Sequence, residues 1–203
     1  MSQWEKSLVE MLISNHIITK EEEEVYKFGM ECLILKVFHC ISYFWIGAFF
    51  HMVPELIVIG AVLIPLRRSA GGYHAKTKTG CYIFSCCYIF LLLFLFRADI
   101  NQSVWRSALV VSDLAIFIMS PADNENKRLD GKEQVHYRKK ARILLIFANI
   151  CFIALAAFHL PYIESLIQWG ICGAAFLLIL QSILNAITNG KGKVLCKNIQ
   201  NHI

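Results

Sequence analysis

The sequence predicts an all-α polytopic membrane bundle of about six crossings with an N-terminal amphipathic helical segment, and three observations carry that prediction. Hydrophobic residues make up 57% of the 203 and charged residues only 17%, a balance unlike that of soluble domains. The apolar residues gather into long runs of membrane-crossing character. The charges crowd into a few short stretches between those runs. Together these features exclude a disordered chain, a collagen-like chain and a compact secreted disulfide domain. Residues 1–203 read as a single integral membrane domain, with 1–30 as a cytoplasmic segment within it.

Along the chain, Glu5, Glu10 and the run Glu21 to Glu24 interrupt any apolar core in the first 30 residues, so no cleaved signal peptide is expected there. Trp4, Leu8, Met11 and Leu12 fall at helical spacing, which predicts a short amphipathic helix ending near Ser14 and Asn15. It would lie on the membrane surface or pack against the protein body. Thr19 and Glu22 have capping-box spacing, and acids in a first turn suit the positive end of the helix dipole, so the next helix should start near Lys20. The apolar stretches are Cys32 to Val53, Glu55 to Leu66, Cys81 to Phe96, Val104 to Ser120, Ile143 to Leu160 and Ser165 to Thr188. A crossing needs about 20 residues. The second stretch is therefore too short unless it runs past Pro54 or on through Arg67 and Arg68.

The net charge of +5 is explained by where the cations sit, and no nucleic-acid partner is expected. With the N-terminus inside, Lys6, Lys20 and Lys27 are cytoplasmic. So are Arg67, Arg68, Lys76 and Lys78 in the first inside loop, and Lys127, Arg128, Lys132, Arg138, Lys139, Lys140 and Arg142 in the second. Lys191, Lys193 and Lys197 fall in the C-terminal tail, which puts 17 of 20 basic residues inside. Inverting the chain would strand nearly all of them on the wrong face. The expected location is the cell membrane, with both termini and the first inside loop cytoplasmic.

Eight cysteines do not imply a disulfide framework in this topology. Cys81 and Cys196 lie near the reducing cytoplasm, and Cys32, Cys40, Cys86, Cys87, Cys151 and Cys172 read as small buried residues of apolar helices. Cys81 is placed differently, at the end of the polar segment Arg67-Arg68-Ser69-Ala70-Gly71-Gly72-Tyr73-His74-Ala75-Lys76-Thr77-Lys78-Thr79-Gly80-Cys81. There a starting helix and nearby cations favour a thiolate, and His74 is the available proton acceptor and donor. Seven residues of straight helix would separate the two Cα atoms by about 10.5 Å. The chain between them must therefore bend, and Thr77, Thr79 and Gly80 permit it. Gly71-Gly72 would let the backbone approach a peptide closely or give a flexible entry to the site. Spacing alone leaves open a basic surface loop in which His74 and Cys81 are incidental.

The string RRSAGGYHAKTKTGC followed by an apolar helix resembles the signature of the accessory gene regulator protein B family, membrane cysteine endopeptidases of bacterial quorum sensing. The resemblance extends to the crossing pattern and to Ser120-Pro121-Ala122-Asp123-Asn124-Glu125-Asn126-Lys127, which precedes a basic cluster and departs from the pattern at Arg128, where the family often has proline. The resemblance implies that Cys81 is the nucleophile and His74 its base, with Arg67 and Gly72 supporting the site. It implies cleavage of an AgrD-like propeptide through a Cys acyl-enzyme, followed by closure of a thiolactone or lactone. It also implies a homodimer in the lipid bilayer. The inside cations, Lys127, Arg128, Lys139 and Lys140 among them, offer a docking surface for an acidic propeptide tail, and positive-inside topology alone would also place them there.

Asp113 is an acid within the fourth apolar stretch, with Lys36 as a possible partner, and reads as structural or interfacial rather than catalytic. His74, Cys81, Cys86 and Cys87 lack a recognised ligand spacing, so neither a metal nor another cofactor is expected. Two other classes remain open at this level. One is a small membrane peptide or ion transporter built on broken helices and Asp113. The other is a structural membrane partner that binds peptide without turnover.

Overall fold

The computed structural model describes residues 11, 13–15, 18–73, 75, 77–98, 102–122 and 130–200, with no side chain described at 20, 102, 103 or 189–200. The described residues form helices and no strand, as the composition predicts. A 3-10 turn at Lys20–Glu22 leads into α1 (Glu23–Phe50), followed by α2 (Val53–Ala70), α3 (Lys78–Arg97), α4 (Gln102–Met119), α5 (Gly131–Ala157) and α6 (Pro161–Gln200). Met11, Ile13 and Ser14 are helical and Asn15 turns, which puts the expected break where the sequence has it; Trp4, Leu8 and Leu12 lie outside the described residues.

Local chemistry sets the helix ends. The Glu22 carboxylate accepts from the Thr19 backbone N–H and from the Thr19 hydroxyl, both at 3.1 Å. This is the backward half of the expected capping box, and the hydroxyl donates to the acid instead of capping backbone. α1 ends where His51 turns left-handed at φ 56°, and Pro54 sits in the first turn of α2, where its missing N–H costs no helical bond. α2 runs through Arg67 and Arg68 to Ala70, supplying the residues that its apolar stretch lacked, and the two cations suit the negative end of its dipole.

Two expected boundaries are corrected. Lys132, Arg138, Lys139, Lys140 and Arg142, assigned to a loop by hydropathy, occupy the opening turns of α5. Lys191, Lys193 and Lys197, assigned to a tail, lie within the span of α6. Hydropathy marks where a helix is apolar, whereas its backbone hydrogen bonds continue through polar turns. Glu133 secures the start of α5 by accepting from the Asp130 N–H at 3.3 Å.

α6 is the central post, packed by α2, α4 and α5. Its run from Leu166 to Ile171 is buried, as are Gly173, Ala174, Ala175, Leu177 and Leu178. Small residues permit this close approach. A Cβ on Gly170 would stand 2.7 Å from Val62 Cβ and 3.1 Å from the Ile59 carbonyl, and one on Gly173 would stand 2.7 Å from the Tyr88 hydroxyl. Gly170→Leu should therefore force α2 and α6 apart and cost about 1–3 kcal/mol of stability. Thermal unfolding in detergent checks this, and an unchanged midpoint would show that the two helices are not held at this distance.

The outer surface is apolar. Phe38, Ile41, Phe44, Trp45 and Phe49 on α1 are exposed, and so are Ile143, Phe147, Ile150 and Ile153 on α5. A contiguous apolar surface of this extent suits lipid, not water. By length and composition α1, α3, α5 and the Pro161–Thr188 part of α6 can cross a membrane. α2 and α4, 18 residues each, reach about 27 Å.

Candidate active site

The chain between α2 and α3 is the break that the spacing of His74 and Cys81 demanded. Gly71, Gly72, Tyr73, Ala75 and Thr77 are all non-helical. Thr77 is extended at φ −114°, ψ 148°, and its hydroxyl caps α3 by accepting from the Gly80 N–H at 3.1 Å. Cys81 thus falls in the first turn of α3, with its N–H donating to the Thr77 carbonyl at 2.9 Å, and it is half-buried. Lys78, beside it, pairs with Glu31 of α1 and ties the start of α3 to its neighbour.

Arg67 braces the loop from below. Its Nη2 donates to the Tyr73 carbonyl at 2.9 Å, across the turn that begins when the Gly71 N–H caps the Arg67 carbonyl at 3.1 Å. Gly72 is buried, and a Cβ there would meet Arg67 Cγ at 3.3 Å and Leu177 Cβ at 3.4 Å. Tyr73 continues the docking: its N–H donates to the Leu177 carbonyl of α6 at 3.2 Å, and its ring meets Phe84 edge-on at 4.5 Å. Loop, α3 and α6 are fixed to one another at this end of the bundle.

The second polar segment docks on the first. The Ala122 N–H donates to the Ala70 carbonyl at 2.9 Å, and Gly71, at φ +84°, lets the two backbones pass without a side chain between them. Close approach, expected at Gly71-Gly72 for a substrate, is here an approach to Ala122. Arg138 of α5 holds the same segment by donating to the Ser120 carbonyl at 3.1 Å. Sequence reasoning counted Arg138 as one of many inside cations and took Ser120 and Ala122 only as part of the second motif; no signal in the sequence shows that their backbone atoms meet Arg138 and Ala70.

Of the nominated residues, Arg67, Gly72 and Cys81 are brought to one end of the bundle, while Lys139 and Lys140 are exposed on α5. His74, Lys127 and Arg128 lie outside the described residues. Asp113 is corrected in its partner: Asn149 of α5, not Lys36, donates to its Oδ1, at 3.1 Å. Lys36 is exposed on α1. The expectation of small buried cysteines is also corrected. Cys40 and Cys87 are exposed and Cys32, Cys86, Cys151 and Cys172 half-buried, because an apolar face in this bundle turns outward as readily as inward. Among the described residues no disulfide joins them.

These features define a polytopic α-helical membrane protein with a thiol at a docked, basic loop. The chain belongs to the accessory gene regulator B family, whose profile matches residues 5–184. It is 28% identical over 156 residues to accessory gene regulator protein B of Staphylococcus carnosus, covering 75% of this chain and 80% of that protein. It is 25% identical over 164 residues to a putative AgrB-like protein of Clostridium perfringens, covering 76% and 77%. A putative AgrB-like protein of Clostridium acetobutylicum is 24% identical over 140 residues, covering 68% and 67%. No solved structure matches the chain.

Proposed function

We propose that this protein is a membrane cysteine endopeptidase that removes the C-terminal tail of a quorum-sensing propeptide and promotes closure of the remaining peptide into a ring. The observation that carries this reading is Cys81, half-buried in the first turn of α3 at the end of a loop braced by Arg67. In the reaction, His74 takes the proton of the Cys81 thiol as the sulfur adds to a backbone carbonyl of the propeptide. The tetrahedral intermediate expels the tail's amine as His74 gives it a proton, leaving a thioester on Cys81. A thiol or hydroxyl of the same peptide then attacks that thioester, closes the ring and releases Cys81. Thioester exchange is nearly balanced, so removal of the tail or of the product draws the sequence forward.

In the orientation favoured by the cations, α2 and α4 complete six crossings, both termini are cytoplasmic and the Cys81 loop faces the cytoplasm. Homodimerisation belongs to the same reading through family resemblance. Purified full-length protein in lipid, given its cognate propeptide, tests the assignment through Cys81→Ala and His74→Ala; cleavage undiminished by either would remove it.

Lys139 and Lys140, exposed on α5, are proposed to meet an acidic tail. Charge reversal of both, Lys139→Glu with Lys140→Glu, should raise KM about tenfold with kcat unchanged, and high salt should erase the difference. A KM equal to that of the wild type at low salt would leave these lysines a role in topology alone.

A further inference from the structure

The face of α3 that carries Cys81 continues as Phe84, Ser85 and Tyr88, at the helical spacings that keep side chains on one side. Between that face, α2 and Tyr43 of α1 lies a cavity of about 240 Å³. This is smaller than the roughly 300–1,000 Å³ of pockets for drug-sized ligands, and of a size for a side chain. Leu56, Ile59, Leu63, Ile64, Phe84 and Ile89 make its walls apolar, and Arg67 and Arg68 also line it, from the end of α2 that leads into the Cys81 loop. Arg67 Nη2 holds the Tyr73 carbonyl, so this guanidinium joins the cavity wall to the Cys81 loop. Gly60 also lines the cavity, and a Cβ there would meet nothing closer than Ile64 Cδ1 at 3.7 Å. Helix packing therefore does not require a glycine at 60, and the space beside it stays open.

We infer that this cavity receives the side chain of the substrate residue whose carbonyl Cys81 attacks, that this residue is bulky and apolar, and that Gly60 keeps the pocket open for it. The inference rests on the assignment of Cys81 as nucleophile and adds the substrate preference of that site. Phe84 and Ser85 lie about one helical turn below Cys81, so a side chain entering there would hold its own carbonyl beside the sulfur.

The test uses full-length protein in lipid and three probes, the acetyl-glycyl, acetyl-leucyl and acetyl-phenylalanyl chloromethyl ketones. Each alkylates Cys81 as its thiolate displaces chloride, and mass spectrometry of the Cys81 peptide gives the rate. The wild type should react at least about tenfold faster with the leucyl and phenylalanyl probes than with the glycyl one, as a filled apolar pocket requires. Gly60→Leu should bring both rates down to the glycyl rate, with the glycyl and iodoacetamide rates unchanged. Gly60→Ala, which adds a single methyl to open space, should fold as the wild type does and lower the phenylalanyl rate more than the leucyl one. Equal rates for all three probes in the wild type, or a preference untouched by both substitutions, would overturn the inference. The parent assignment fails by a different result, propeptide cleavage that survives Cys81→Ala.

Discussion

Cys81→Ala, inserted in lipid and folded as the wild type, is expected to bind propeptide with unchanged affinity and to lose turnover by about 10⁴-fold or more, the scale on which covalent catalysis disappears when its nucleophile is removed. His74→Ala should cost about 10²–10⁴-fold, the usual contribution of a general acid–base group. It should also suppress the acyl-enzyme that the proposed reaction passes through and that hydroxylamine would discharge. The pair separates three readings of the same fold. An endopeptidase keeps binding and loses cleavage in both variants. A transporter moves its cargo whether or not Cys81 carries sulfur, and a structural partner binds without turnover in the wild type itself. The geometry favours the first outcome, because Cys81 is in the opening turn of α3 and not in its apolar middle. Cysteines placed as Cys87 is, exposed among the apolar residues of the same helix, have neither a helix terminus nor a polar loop to supply reactivity.

How much of this was legible in the sequence depended on whether the signal was local. Apolar runs located α1 to α6. The expected bend between His74 and Cys81 announced a break before α3, although of Thr77, Thr79 and Gly80, read as permitting it, only Thr77 is outside the helix. The helix ends were less legible at Gly131 and beyond Thr188, because charged turns continue a helix without any apolar mark. Contacts made by backbone atoms across the bundle were not legible at all. The bonds from Ala122 to Ala70 and from Tyr73 to Leu177 join segments far apart in the chain, and a carbonyl has no residue type. Asp113 shows the same limit for side chains. Its charge marked it as needing a partner, but the choice of Asn149 over Lys36 depended on α4 and α5 being neighbours.

Gly71→Ala should be the most damaging small substitution in the loop. At φ +84° and ψ 177° the residue occupies a region open essentially to glycine alone, so any side chain brings about 1–3 kcal/mol of backbone strain. The added Cβ would also stand 2.6 Å from the Ala122 carbonyl oxygen and 3.1 Å from its nitrogen, and backbone cannot yield as a side chain can. Relief requires the second polar segment to leave, breaking the bond from Ala122 to Ala70 and releasing the carbonyl that Arg138 holds. Turnover should fall at least about tenfold, since a displacement of about 1 Å remote from the chemistry can cost about 10²-fold. Cys81 should nonetheless remain open to iodoacetamide and the protein inserted as before. Gly72→Ala offers the internal comparison. Its Cβ would meet Arg67 Cγ and Leu177 Cβ at 3.3 and 3.4 Å, side-chain atoms that can shift by a few tenths of an ångström, so its loss should be several times smaller. If the two variants lost turnover equally, the cause would lie in the flexibility of the glycine pair. A deficit confined to Gly71 would instead identify the docking of one polar segment on the other as the feature that positions the Cys81 loop.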